Sequence, residues 1–182
     1  MWSPFLLSFA SCLLVTVTSA ETSSNDGGVQ GDDASNITTA EAYYRSRLWY
    51  PAVGEQLQMI LTGTPVIAFN TSHTSIVPAV PIYDIDLFDA ANASVKPLHQ
   101  LGKKVICYFS AGTAEDWRPD YGNFSEEDMG ANLPLWPGER WLNIRNRKVW
   151  SVMQRRLELA QKLGCDAVDP DNMGMRYLSN QT

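Results

Sequence analysis

Five short segments of this chain alternate apolar and polar side chains, and this alternation constrains the fold more than any other feature. The segments cover residues 56–61, 81–87, 104–110, 141–145 and 166–171. In the second segment, Asp84 and Asp86 alternate with Tyr83, Ile85 and Leu87. A period of two residues is typical of a β-strand whose two faces differ in polarity, so we predict five strands.

Two helical patterns lie between these strands. Residues 149–163 carry an apolar stripe made by Val149, Val152, Met153, Leu157, Leu159, Ala160 and Leu163. The polar face of the same helix holds Arg155, Arg156, Glu158, Gln161 and Lys162. Gly164 ends this helix, and a second helix at 90–101 is closed by Gly102. The order strand, helix, glycine, strand predicts the βα units of a parallel sheet.

The polar residues of the strands distinguish between two parallel architectures. An open sheet covered by helices on both faces needs nearly continuous apolar strands. A (β/α)8 barrel turns one set of side chains towards its helices, and its mouth at the C-terminal strand ends carries the chemistry. The residues at these ends are Asp86, Ser110, Arg145 and Asp171. We therefore predict an α/β fold, a partial (β/α)8 barrel with about five of its eight parallel strands and a polar mouth.

Charge and metal-binding residues exclude several functions. The formal net charge is −6, whereas nucleic-acid binding needs clustered Lys and Arg. His73, His99 and the cysteines lack the spacing of a zinc or haem site, so no metal cofactor is expected. Cys107 and Cys165 either form a disulfide or remain buried thiols.

The N-terminal residues predict entry into the secretory pathway. Residues 5–17 form an apolar run that small residues close at 18–20, which is typical of a signal peptide cleaved after Ala20. The run is shorter than the roughly 20 residues of a membrane-spanning helix. We therefore expect a secreted, extracellular protein with no membrane association after cleavage.

The remainder divides into a tail and one domain. Residues 21–46 are small and polar and predict a disordered tail, followed by a single domain at 47–182. Five Asn-X-Ser/Thr sequons are expected glycan acceptors of a secreted glycoprotein, at Asn36, Asn70, Asn92, Asn123 and Asn180.

Four motifs within residues 47–182 form a recognisable set. They are residues 82–89 (IYDIDLFD), 102–112 (GKKVICYFSAG), 136–145 (WPGERWLNIR) and 164–172 (GCDAVDPDN). In this order they resemble glycoside hydrolase family 114, a family of secreted endo-α-1,4-polygalactosaminidases abundant in fungi. The resemblance implies a (β/α)8-like barrel that cleaves α-1,4 bonds in galactosamine-containing polysaccharide without a cofactor. An α-galactosidase on the same fold and a non-catalytic carbohydrate-binding surface protein are the alternatives.

The resemblance also implies roles for individual residues. Glycoside hydrolysis typically uses two carboxyl groups, and Asp171, which precedes Asn172 at a strand end, matches one of them. The residues expected to bind the sugar are Asp86, Tyr108, Ser110, Asp169 and Asn172. Acidic side chains in a cleft attract the ammonium group of galactosamine more strongly than a neutral sugar.

Other residues near the motifs receive different roles. Residues 115–117 follow the third strand, where they can touch substrate. Glu139 precedes the fourth strand, and we expect it to form a salt bridge with an arginine. Trp136 and Trp141 are expected to pack in the protein and not to stack on sugar. For Asp84, and also for Asp169, a hydrogen-bonded structural role is the favoured alternative.

Two departures from the family pattern affect the expected activity. Met173 and Gly174 stand where the family commonly has a further Asp. A complete barrel takes about 200 to 250 residues or more, whereas this chain supplies about five strands. We therefore expect a fragment or truncated gene model that is poorly stable and nearly inactive alone, with its second carboxylate on a strand beyond Thr182.

Overall fold

The computed structural model describes residues 48–69 and 74–173. The predicted signal peptide, the polar tail and the sequons at Asn36, Asn70 and Asn180 lie outside the described residues. Asn92 and Asn123 are described and exposed, and their glycosylation stays a prediction. Within the two described ranges, no helix is long and apolar enough to cross a membrane.

Strands and helices alternate along much of the described chain. In order they are β1 (Leu57–Ile60), β2 (Ile67–Phe69), β3 (Thr74–Ile76), β4 (Ile82–Asp86), α1 (Ala91–Gln100), β5 (Lys104–Ser110), β6 (Thr113–Glu115), β7 (Met129–Asn132), β8 (Glu139–Leu142), α2 (Arg147–Leu163) and β9 (Ala167–Asp171). Two 3-10 turns, at Tyr121–Asn123 and Glu126–Asp128, lie between β6 and β7.

Four strands form a parallel sheet in the order β1-β4-β5-β9. Helix α1 connects β4 to β5, and α2 precedes β9. Four of the five predicted strands are these strands, to within one residue at each end. The prediction of a parallel α/β fold is confirmed, with four parallel strands in the described residues instead of five.

Helix α2 begins and ends at residues that cap its two ends. At the start of α2, the side chain of Asn146 accepts a hydrogen bond from the backbone N–H of Lys148 at 2.9 Å, which satisfies one of the free donors of the first turn. Gly164 ends α2 with φ 87°, a left-handed conformation that a side chain disfavours. The helices follow the predicted ranges to within two residues.

The helix-facing side of the sheet forms the main core. Tyr83, Ile85, Val105, Phe109 and Val168 are buried there with residues of α1 and α2. Cys107 of β5 and Cys165, two residues before β9, form a disulfide with a Cα–Cα distance of 5.9 Å, which decides the alternative that the sequence left open. The disulfide joins the sheet to the segment that leads into β9.

The other side of the sheet carries the polar residues in layers. Ile82, Ile106 and Ala167 form an apolar base against Trp49. Further towards the C-terminal strand ends come Asp84 and Asp169, then Tyr108, then Asp86 and Asp171. Such layers, built from alternate strands, are characteristic of (β/α)8 barrel interiors.

The predicted fourth barrel strand at 141–145 is wrong. The chain forms β8 at Glu139–Leu142 instead, and β8 pairs antiparallel with β6 and β7. Ile144 and Arg145 follow β8 in the exposed turn before α2, so Arg145 does not end a barrel strand. Alternating side chains reveal a strand but not the direction of its partner, which depends on residues distant in sequence.

Arg156 does not lie on the solvent-facing side of α2, where the sequence predicts it. This side chain is 1% exposed, because its position lies four residues from both Val152 and Ala160 on the buried stripe. Its guanidinium donates to both carboxylate oxygens of Asp120 at 2.8 and 2.9 Å and to the carbonyl of Ser110 at 2.6 Å. The charge is therefore satisfied inside the protein, and α2 is tied to the end of β5.

Candidate active site

A cleft of about 470 Å³ opens at the C-terminal ends of the parallel strands, beside the antiparallel sheet. Its lining consists of Leu61, Thr62, Asp89, Tyr108, Glu115, Trp117, Arg118, Leu133, Trp136, Glu139, Asp171 and Asn172. Four of these side chains are acidic and one is basic. The cleft therefore carries an excess of negative charge and attracts cationic ligands.

Asp171, at the end of β9, is exposed in the cleft and held by hydrogen bonds at both oxygens. The hydroxyl of Tyr108 donates to its Oδ2 at 2.9 Å, and the backbone N–H of Asn172 donates to its Oδ1 at 2.7 Å. These two donors fix the orientation of the carboxylate while leaving it accessible.

The backbone around Asp171 is fixed by the end of β5. The N–H groups of Ala111 and Gly112 both donate to the carbonyl of Asp171, at 2.9 and 3.2 Å. Asn172 turns the chain with φ 63°. A Cβ atom on Gly112 would lie 2.2 Å from the carbonyl oxygen of Asn172, so only glycine permits this close approach.

A chain of hydrogen bonds runs from Asn172 to Glu139. The Asn172 amide donates to Ser110 Oγ at 3.0 Å, Ser110 and Thr113 hydrogen-bond through their hydroxyls, and Thr113 donates to Glu139 Oε1 at 2.8 Å. Because Thr113 gives its only hydroxyl proton to Glu139, the Ser110 hydroxyl donates to Thr113. Every donor in the chain thus points towards Glu139.

Asp86 lies beneath the cleft and holds Arg118. Its oxygens accept hydrogen bonds from two guanidinium nitrogens of Arg118, at 2.9 and 2.5 Å, and from the backbone N–H groups of Phe88 and Asp89. Arg118 also donates twice to Glu115, at 2.9 and 3.0 Å. Burial disfavours the charge of Arg118, but the hydrogen bonds and charges of Glu115 and Asp86 raise its pKa.

Burial and the neighbouring carboxylates raise the pKa values of Glu139 and Tyr108. Burial raises the pKa of Glu139, the hydrogen bond from Thr113 opposes this shift, and the charges of Glu115 and Asp171 add to it. The pKa of Tyr108 is also raised, first by burial and then by the charge and hydrogen bond of Asp171. Tyr108 therefore stays a neutral hydrogen-bond donor at physiological pH.

Asp84 and Asp169 form a carboxyl pair one layer deeper. Asp84 is 2% exposed, and its Oδ1 has no hydrogen-bond partner among the described residues. Burial, the charge of Asp169 and a hydrogen bond between the two side chains raise the pKa of Asp84 to about 9. The pair therefore retains a proton at neutral pH. A hydrogen bond between the two side chains is compatible with the structural role that the sequence favours for both residues.

This retained proton predicts a pH dependence of stability. In the unfolded chain Asp84 loses its proton near pH 4, whereas the folded protein keeps it up to about pH 9. Stability contributed by the protonated pair is therefore lost progressively as pH rises through this window. We expect the substitution Asp84→Asn to flatten this decline and to raise the melting temperature at pH 8 relative to the native protein.

Thermal unfolding followed by circular dichroism from pH 4 to 9 measures this effect. Glu158→Gln, at an exposed position on α2, is the matched control and should keep the native slope. Parallel curves for Asp84→Asn and the native protein would contradict the shared proton.

The predicted site residues divide into two groups. Asp171, Tyr108 and Asn172 line the cleft. Asp86, Ser110 and Asp169 do not line it, because Asp86 binds Arg118, Ser110 is buried under Asn172, and Asp169 pairs with Asp84. These three residues lie beneath the residues that line the cleft, and their part in sugar binding stays a prediction.

Glu139 and Trp136 lie elsewhere in the structure than the sequence predicts. Glu139 lies in β8, lines the cleft and accepts a hydrogen bond from Thr113, so the predicted salt bridge at the opposite end of the barrel is wrong. Trp136 is 61% exposed on the cleft wall and does not pack in the core. Both errors follow from treating β8 as a barrel strand.

Thr113 and Arg118 contact the site but carry no motif that marks them in the sequence. Both are buried, and buried polar residues next to an acidic strand end are the signal that could have revealed them. Among the described residues, no group of three or more His, Cys, Asp or Glu side chains has an arrangement that could hold a metal ion.

A parallel α/β sheet with an acidic cleft at its C-terminal strand ends is the arrangement of a partial (β/α)8 barrel. The model of glycoside-hydrolase family GH114 matches residues 38–182, and the chain belongs to this family. The crystal structure of Aspergillus fumigatus Ega3 in complex with galactosamine is similar, with 47% sequence identity and a TM-score of 0.60. The match covers 68% of this chain and 46% of the Ega3 chain. No curated protein sequence matches the chain.

Proposed function

We propose that this protein is a secreted glycoside hydrolase that cleaves α-linked galactosamine-containing polysaccharide, with Asp171 as one of its two catalytic carboxyl groups. The observation that carries the proposal is the position of Asp171. Its carboxylate is exposed in the cleft at a barrel strand end and is oriented by Tyr108 and Asn172.

The charge of the cleft supports an amino sugar as substrate. Glu115, Glu139 and Asp171 line the same cleft as Tyr108, and after burial their charges contribute to the raised pKa of Tyr108. Arg118 is the cation on the cleft wall, and Asp86 and Glu115 already occupy its donors. An ammonium group on the sugar would relieve the repulsion among the remaining carboxylates. The galactosamine bound by Ega3 carries such a group.

The reaction requires two carboxyl groups on opposite sides of the scissile bond. One protonates the leaving oxygen, and the carboxylate of Asp171 attacks the anomeric carbon or activates a water molecule there. Tyr108 and the Asn172 N–H hold Asp171 in place, which reduces the reorganisation needed in the transition state.

Substrate discrimination tests the proposal. The purified protein should be assayed on polygalactosamine, its fully N-acetylated form and a neutral α-galactan, with products quantified as new reducing ends. We expect polygalactosamine to be cleaved about fivefold or more faster than either neutral polymer, because one partly desolvated ion pair is worth roughly 1 kcal/mol or more.

The alternatives predict other results. Preferred cleavage of the neutral galactan would favour an α-galactosidase. Binding of polymer without any product would favour a non-catalytic carbohydrate-binding protein.

A further inference from the structure

Two tryptophans on the cleft wall are exposed to an unusual degree. Trp117 is 51% exposed and Trp136 is 61% exposed, and both line the cleft that contains Asp171. Large aromatic side chains lose favourable burial in such positions, so their exposure commonly marks a binding surface. Neither ring is needed to fill the core of the described protein.

The loops that carry these tryptophans are held rigidly. Trp117 follows β6 and precedes Arg118, whose side chain is fixed by Asp86 and Glu115. The loop of Trp136 is closed by backbone hydrogen bonds, from Trp136 N–H to the Leu133 carbonyl at 3.3 Å and from Glu139 N–H to the Trp136 carbonyl at 3.1 Å. The two rings are therefore carried by ordered turns.

One contact joins the two loops directly. The N–H of Asp116, adjacent to Trp117, donates to the carbonyl of Gly138 at 3.0 Å. Gly138 has φ 89°, and a Cβ there would lie 2.7 Å from the Asp116 carboxylate. These contacts hold the backbones of the two tryptophan-bearing loops side by side along the cleft wall.

We propose that Trp117 and Trp136 are stacking platforms for sugar units of the polymer next to the unit bound at Asp171. The inference rests on the proposed function and names its polymer-binding residues. The C–H face of a pyranose ring is apolar and buries well against an indole. The indole face also attracts an ammonium group, so an α-linked galactosamine polymer satisfies both the rings and the carboxylates of this cleft.

The proposal predicts that affinity depends on chain length. Trp117→Ala and Trp136→Ala should each weaken binding of galactosamine oligomers of several units by about tenfold, and the double substitution should weaken it further. Binding of the galactosamine monosaccharide should change less than about twofold, because one unit at Asp171 does not reach the platforms. Trp136→Phe should retain most of the affinity, since an aromatic face remains.

Titration calorimetry with the purified protein and defined oligomers measures these changes. Trp150→Ala is the matched control, because Trp150 is 68% exposed on α2 and does not line the cleft. Equal losses of affinity for the monosaccharide and the oligomer would overturn the proposal that the tryptophans are platforms. The same loss of oligomer affinity in Trp150→Ala would also overturn it. Unchanged oligomer affinity in the double variant would overturn it as well, and so would a native protein that binds no oligomer.

The reducing-end assay on the same samples separates this inference from the proposed function. Native protein that binds oligomers through the tryptophans without cleaving them would contradict hydrolysis and leave the platforms supported. Cleavage with oligomer affinity unaffected by either substitution would support hydrolysis and contradict the platforms.

Discussion

The substitution Asp171→Asn is expected to lower kcat for polygalactosamine cleavage by about a thousandfold or more while oligomer affinity changes less than about threefold. An amide is isosteric with the carboxylate but has a single acceptor oxygen. With that oxygen accepting from the Asn172 N–H, the amide NH2 can donate to the Tyr108 hydroxyl oxygen in place of the bond that Tyr108 donates to Asp171. It cannot attack the anomeric carbon or take a proton from water. The loss should therefore fall on kcat and not on binding.

Initial rates on polygalactosamine and oligomer titrations, both on the purified protein, provide the two measurements. Glu127→Gln, an exposed position outside the cleft, is the control and should keep native values. If Asp171→Asn retained substantial turnover, Asp171 would not be a catalytic carboxylate. A loss of binding equal to the loss of rate would place its role in sugar recognition.

Gly112→Ala is expected to lower kcat by about a hundredfold, although no atom of Gly112 reaches the substrate. The added methyl would lie 2.2 Å from the Asn172 carbonyl oxygen and 2.9 Å from its carbonyl carbon. Both atoms belong to the backbone, so the turn after β9 must move and carry Asp171 with it. A displacement of about 1 Å at a catalytic group is enough for a loss of this size.

The matched control for this substitution is Gly122→Ala. An added Cβ at Gly122 has no neighbour within 4 Å, so both kcat and melting temperature should remain near native. The two alanine variants share the same change in unfolded-chain entropy, which isolates the steric contact. A Gly112→Ala variant with native kcat would show that the turn does not set the position of Asp171.

The parallel strands could be predicted because their signal is local. In β4, β5 and β9 the residues that face the helices are apolar, and most of those that face the barrel interior are polar. This alternation is visible within a few residues of sequence. Helix α2 was predicted for the same reason, together with Gly164 at its end. Asp171 was identified through its motif and its place at a strand end, and it does line the cleft.

Contacts between distant segments could not be predicted in this way. The apolar and polar alternation of β8 resembles that of a barrel strand, yet its partners are β6 and β7. As a consequence Glu139 and Trp136 reach the cleft wall. Arg156 was misplaced because its charge suggested solvent, whereas Asp120 and the Ser110 carbonyl accept its hydrogen bonds in the interior.

Sequence alone determined the order of the parallel strands and helices and the acidic strand end at Asp171. It also determined which alternate side chains of each strand face the core and which face the barrel interior. Tertiary structure alone decided which carboxylates share a proton, which one binds Arg118 and which remain open to a sugar. Alternation along a strand reports the environment of a side chain, but its hydrogen-bond partner comes from another strand or loop. Which hydrogen bonds a carboxylate forms is decided only when those segments come together in the folded protein. Desolvation and charge depend on distance in space and not on distance along the chain.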